Sequence, residues 1–279
     1  MKKLVKIAAN FIALAVTVAA TLGFSACEDI KTLELSLNLY DNSSSAFYSV
    51  DEVKFTVDLY RHLAPKTVDA VLENVEKGFY NDAIFYEENG MIMLGDYKFE
   101  DGELKQNLIG GKLPSEIYGE FKYNGTTGSN LLVDKGSIGL WRSYYATDNS
   151  YKTSDDARNS GRATWFIPTS AKTDYDGYFC VFAQYDKDDT ANAKAISAIS
   201  AIFNNAEYYT EYVVYYTGEY DNLEFRAVTK TSYDALEEEP EVYEAKGAQL
   251  VSYNKKTIKV PNLTVDNKIT AQVKSIAVK

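Results

Sequence analysis

VKFTVDLYRHLAPKTVDAVLENVEKGFYNDAIFYEENGMIMLGD, residues 53–96, is the stretch whose reading decides the fold. Val53, Phe55, Val57 and Leu59 alternate with Lys54, Thr56 and Asp58, the period-two pattern of a strand with one buried face. Ala64-Pro65 then opens a helix, because a first helical position needs no backbone donor and suits proline. Val68, Val71, Leu72 and Val75 follow at helical spacing, and Gly78 stands where a left-handed helix terminus favours glycine. Apolar runs at 83–85 and 91–94 return as strands. Strand, helix, glycine stop and strand make one self-consistent unit, which any α+β domain with a well-capped helix would also satisfy.

Outward from that unit, the chain has 279 residues, enough for one large domain or one domain with insertions. Its 23 Tyr and 13 Phe suit strands. Residues 1–6 carry three lysines and no acid, and 7–26 are almost wholly apolar, which reads as a signal peptide over 1–26. It ends Leu22-Gly23-Phe24-Ser25-Ala26-Cys27, similar to a bacterial lipobox, with Phe24 where an aliphatic residue is usual. Cys27 is then the lipidated N-terminus. An uncleaved membrane anchor is the competing reading, since the apolar run nearly spans a bilayer. Either way the remainder is expected outside the cytoplasm, tethered to the cell membrane.

Loss of the leader's three lysines takes the formal charge from −11 to −14. Such acidity excludes a nucleic-acid partner, whose phosphates require a basic surface. With Cys27 acylated, Cys180 is the remaining thiol, so no intramolecular disulfide forms; its apolar surroundings mark it as a core residue. His62 is the single histidine, which argues against a histidine zinc site or a catalytic triad. Asp186-Lys187-Asp188-Asp189 lacks the glycine and distal glutamate of a calcium loop. No metal and no cofactor are expected.

Residues 32–40 alternate as a first strand. Asp189-Thr190 caps a helix with Ile196, Ile199, Ile202 and Phe203 on one stripe. Strands are expected at 208–216 and 223–229, an acidic solvated connection at 235–244, and closing strands at 256–260 and 269–278.

The run LAPKTVDAVLENVEKGFYNDAIF resembles the cyclophilin family, in which a strand leads through "aPkTV", a helix and "GfY" to the strand of the catalytic arginine. Four further runs continue the resemblance in order. IYGEFKYNG (117–125) is similar to "I.GEF..NG" and LLVDKGSIGLWR (131–142) to "l.h..G.iSMAR". NSGRATWFI (159–167) is similar to "NSasSQFFI" and YDGYFCVFA (175–183) to "LDg.y.VFG". Together they cover about residues 32–185. The resemblance implies a mainly β fold, a closed antiparallel barrel of eight strands with a helix over each end, and peptidyl-prolyl cis-trans isomerase activity. It also implies a division into barrel (27–203), an insertion at 204–255 forming a hairpin appended to the barrel, and terminal strands (256–279) returning to it.

Rotating a prolyl bond breaks amide resonance, a barrier of about 18–20 kcal/mol, and the twisted nitrogen can then accept a hydrogen bond. The family supplies that donor from an arginine two residues after the phenylalanine of "FhR". Here the motif is Phe85-Tyr86-Glu87, and an ionised glutamate cannot donate. The family's two glutamines fall on Leu94, allowing one-residue gaps around Gly90 and Gly95, and on Thr164. Its pocket phenylalanine is kept as Phe166, and Met91, Ile92, Tyr175 and Phe179 would complete an apolar cup for proline. Glu87 is expected at the rim of that cup. Arg162 and Arg142 are read as surface residues; the competing reading has one of them supply a substitute donor, with Arg162 the first candidate. The expected function is thus a weakened isomerase acting on proline-containing peptides or exported proteins, as a monomer. The alternative is a barrel that binds peptides or partners without catalysis.

Overall fold

The computed structural model describes residues 30–41, 46–47, 53–115, 117–120, 131–142, 158–245, 253–263 and 271–279. The leader, Cys27, part of the "GEF..NG" run and the loop after Arg142 lie outside the described residues.

Alternation builds the wall first. β3 (Lys54–Tyr60) buries every second residue, with Phe55, Val57 and Leu59 at zero exposure. It pairs with β1 (Ile30–Asp41), whose Leu33, Leu35, Leu37 and Leu39 point the same way into the core. β2 (Ala46–Phe47) adds a short pairing to β1. Around the wall follow β4 (Phe85–Glu88), β5 (Met91–Leu94), β8 (Ser137–Arg142), β9 (Gly161–Pro168), β10 (Cys180–Gln184) and β14 (Ala271–Val278). Their hydrogen-bonded order is β4-β5-β9-β8-β10-β3-β1-β14, all antiparallel. β4 and β14 are not paired as strands. The gap is bridged where Ile84 meets Gln272 and where the Asp82 and Val273 amides donate to Val273 and Ala83 carbonyls, at 2.8 and 2.9 Å. An eight-stranded barrel results, mainly β as expected.

A helix covers each end. In α1 (Pro65–Glu76) proline starts the helix, but no side chain of the N-cap residue Ala64 closes it. Glu120 does so from across the fold, its Oε2 accepting the Thr67 amide at 2.9 Å. That carboxylate at a helix N-terminus satisfies an orphan donor and complements the helix dipole. Gly78, at φ +71°, supplies the left-handed stop. In α2 (Thr190–Phe203) the Asp189 side chain accepts from the Asn192 amide, and Ile196, Ile199, Ile202 and Phe203 are buried. Asn192 in turn accepts from the Thr56 amide, fixing α2 to β3.

β11 (Tyr209–Thr217) and β12 (Glu224–Thr229) form an antiparallel hairpin, followed by α3 (Lys230–Asp234). β13 (Lys256–Pro261) pairs with β11 and meets β4 at Lys259 and Glu87. A second small sheet, β6 (Tyr97–Glu100) with β7 (Glu103–Gln106), lies outside the sequence expectations.

Candidate functional site

The wall β4-β5-β9-β8 has two faces, and its register assigns each residue to one of them. Directly opposite residues in antiparallel strands share a face. Glu87, Ile92 and Ile167 are aligned across three strands, and Tyr86, Met93, Phe166 and Gly139 across four. Ile92, Leu94, Trp165 and Ile167 belong to the barrel interior. Met91, Met93, Phe166 and Phe179 belong to a second apolar cluster on the outer face.

Glu87 therefore does not face Phe166, contrary to the expectation. The motif's phase puts Tyr86 on the Phe166 side instead. Glu87 pairs with Lys259 at 2.6 Å, and its other oxygen accepts the Gly90 amide at 2.6 Å. That bond raises the Lys259 pKa above its ordinary value. Ile92 and Leu94 likewise point inward and contribute nothing to an outer cup. Met91, Thr164, Phe166, Tyr175 and Phe179 are brought together on the outer face.

That face is filled. Phe166 is 0% exposed, its ring edge-on to Phe179 (5.4 Å) and Tyr175 (6.2 Å). Trp141 stacks on Phe179 at 5.3 Å and stands edge-on to Phe166 at 6.2 Å. In the aligned run GLWR, tryptophan holds the place where the family's "SMAR" has alanine, and this was the available signal for the filling. Gly139 admits the Phe166 ring: a Cβ there would lie 2.1 Å from Cζ. The appended strands add Val214, Ile258 and Val260 to the same cluster.

The polar groups of this face converge on Asp96, which sequence reasoning missed. Its carboxylate accepts from the Tyr86 hydroxyl at 2.5 Å and the Thr164 hydroxyl at 2.6 Å, and pairs with Arg162 at 3.0 Å. Burial pushes the Asp96 pKa up, but Arg162, then Lys256 and the two hydroxyls, outweigh it and hold the carboxyl below its ordinary value. Burial raises Tyr86 well above its usual range, and Asp96 adds to this. Arg162 also engages the Tyr216 hydroxyl, itself pushed up to about 12 by burial. Gln106 donates to that hydroxyl at 2.6 Å. Neither candidate arginine is a surface residue: the Arg162 side chain is 12% exposed and Arg142 is 3% exposed, over the Phe179 ring. Their aromatic and anionic surroundings draw them in. A cavity of about 80 Å³ opens beside Asp96 and Arg162, bordered by Asn107, Pro114 and Tyr253.

Residues 47–202 match the family model described as cyclophilin type peptidyl-prolyl cis-trans isomerase/CLD. No curated protein matches the chain. Among solved structures, a Cryptosporidium parvum cyclophilin type peptidyl-prolyl cis-trans isomerase is 16% identical, with a TM-score of 0.38. That match covers 59% of this chain and 82% of that one. A structure of the Cryptosporidium parvum protein in the presence of the dipeptide Ala-Pro is 17% identical, with a TM-score of 0.36, covering 58% and 82%. The family match extends over more than half of the chain and joins a barrel capped by two helices, so this chain belongs to the cyclophilin-type peptidyl-prolyl cis-trans isomerase family.

Proposed function

We propose that this chain is an extracytoplasmic, lipid-anchored cyclophilin-type protein that engages proline-containing segments of exported polypeptides, with prolyl isomerisation far below that of an arginine-bearing member. One observation carries the reading. The polar groups that share the Phe166 face are already committed: Tyr86 and Thr164 donate to Asp96, and Arg162 pairs with it. Isomerisation is helped by a donor aimed at the twisted prolyl nitrogen, and losing such a donor costs on the order of 3–4 kcal/mol, or ~10²–10³ in rate. Glu87 removes the motif's guanidinium, and Tyr86, which takes the outward position, holds its proton toward a carboxylate. The test is the rate of cis-trans exchange in an Ala-Pro peptide with catalytic amounts of the full chain. Acceleration within tenfold of an arginine-bearing cyclophilin overturns it.

The burial of Phe166 favours the second reading, binding without catalysis, because a prolyl ring reaches it only by displacing Trp141 or Tyr175. Trp141→Ala removes the stacked indole. Under the second reading it raises affinity for the peptide, followed by calorimetry, with no rise in exchange rate; a rise in both supports the weakened isomerase.

The accompanying division is a leader at 1–26, a barrel at 27–203 to which β14 returns, and an appended segment at 204–255 whose hairpin β13 joins instead of returning to the barrel, in a monomer tethered at Cys27. Mass spectrometry of the mature chain tests the anchor: an unmodified Cys27, or retained residues 1–26, counts against it.

A further inference from the structure

Where the wall ends at Glu87, Gly90, Met91 and Ile92, a groove runs along α2. Two cavities of about 420 and 270 Å³ share Thr169 and Ser200 and so form one trough from Ala193 to Asn204. Eleven helical rises make it about 16 Å long, the span of roughly five extended residues. Ile92, Ile196 and Phe203 border its floor, and Ser197, Ser200 and Thr169 offer hydroxyls along it. Tyr185 lines it at 4% exposure. Its buried hydroxyl has no hydrogen-bond partner among the described residues; the Gly136 amide approaches but falls outside bonding geometry.

Lysines ring this trough in a protein of net charge −11. Lys135 and Lys187 line one end and Lys259 the other, while Lys172 Nζ would lie 3.7 Å from a Cβ at Gly90. Lys259 is neutralised by Glu87. Lys135, Lys172 and Lys187 have no ion-pair partner among the described residues. Cationic groups around a cleft focus the field and favour anionic ligands.

We propose that the α2 groove binds an extended acidic polypeptide segment, with alternate apolar side chains on the floor and carboxylates toward Lys135, Lys172 and Lys187. Length and the row of hydroxyls favour a peptide backbone over a small anion. An anionic lipid headgroup is disfavoured by position. Ile30 pairs with Tyr60 at the α1 end, whereas α2 is bonded to Thr56, about 14 Å further along β3. This choice against lipid, unlike the groove itself, rests on the proposed tether at Cys27.

The test uses the full chain in detergent micelles and fluorescein-labelled acetyl-(Glu-Val)₃, read by anisotropy, with (Lys-Val)₃ and phosphatidylglycerol vesicles in parallel. Binding of (Glu-Val)₃ is expected, weakened about threefold by Lys135→Gln or Lys187→Gln and by added salt. Ser197→Trp, at an exposed helical position, is expected to abolish it. No binding of (Glu-Val)₃, equal binding of (Lys-Val)₃, or unchanged binding in Ser197→Trp overturns the proposal. Vesicle binding that is lost in Lys135→Gln overturns it in favour of a headgroup. The probe contains no proline, so failure of the isomerase assay leaves this result standing.

Discussion

Asp96 carries a carboxylate into the apolar outer face and survives there because three donors meet it. Removing one partner of a buried pair leaves an uncompensated charge. Arg162→Met is therefore expected to lower stability by about 3–5 kcal/mol, measured by chemical denaturation. The corresponding Lys259→Met, at a partly exposed pair with Glu87, should cost at most about 1 kcal/mol. Equal losses would place the fold's polar centre elsewhere. The sign of the pH dependence follows from the lowered Asp96 pKa. Its contribution is fully present above the unfolded value, near ~4, and is lost as pH falls through the lower folded value. Asp96→Asn should remove that part of the acid sensitivity while destabilising the protein at neutral pH. At Glu87 the face matters more than the charge. Glu87→Arg sets a second cation against Lys259 and offers none to Phe166, so stability should fall by about 1 kcal/mol with no gain in isomerisation. A rate gain in that variant would put residue 87 on the Phe166 side.

The decisive elements are β4 and β8, and in each a single position sets what the outer face can hold. β4 shifts by one residue relative to the motif expectation, and a one-residue slip moves a side chain to the opposite face of a sheet. β8 presents Gly139 beneath Phe166 and Trp141 beside it. Gly139→Ala would drive a methyl group into the Phe166 ring, so a loss of about 1–3 kcal/mol in denaturant titration is expected, with a weakened near-ultraviolet circular dichroism signal. A neutral Gly139→Ala would mean the ring packs loosely there. α1 shows how an element can rest on a distant residue: its N-terminus is closed by Glu120, fifty-three positions on from Thr67. Helical spacing located α1, and proline located its start, but nothing local names its cap.

Across the whole molecule, what the sequence made legible was periodic and what it hid was pairing at long range. Alternation over Phe55, Val57 and Leu59, the stripe Ile196, Ile199, Ile202, and the stop at Gly78 each report a local physical demand, and the strands and helices follow them. Motif order supplied the barrel. The face taken by Glu87 was hidden because one-residue gaps around Gly90 and Gly95 leave strand phase undetermined until β4 and β5 are paired. The Asp96 centre was hidden for a different reason: Thr164 lies 68 positions away, and the pairing exists only after β5 and β9 align. The appended β11–β13 strands complete the picture by lending Tyr216 to Arg162 and apolar cover to Phe166. The most direct measurement is exchange spectroscopy on an Ala-Pro peptide with the full chain, beside the Phe166→Ala variant. With the outer face filled and its donors committed to Asp96, exchange should be at least about 10²-fold slower than with an arginine-bearing cyclophilin. Exchange as fast as that of such an enzyme, and abolished by Phe166→Ala, would contradict it.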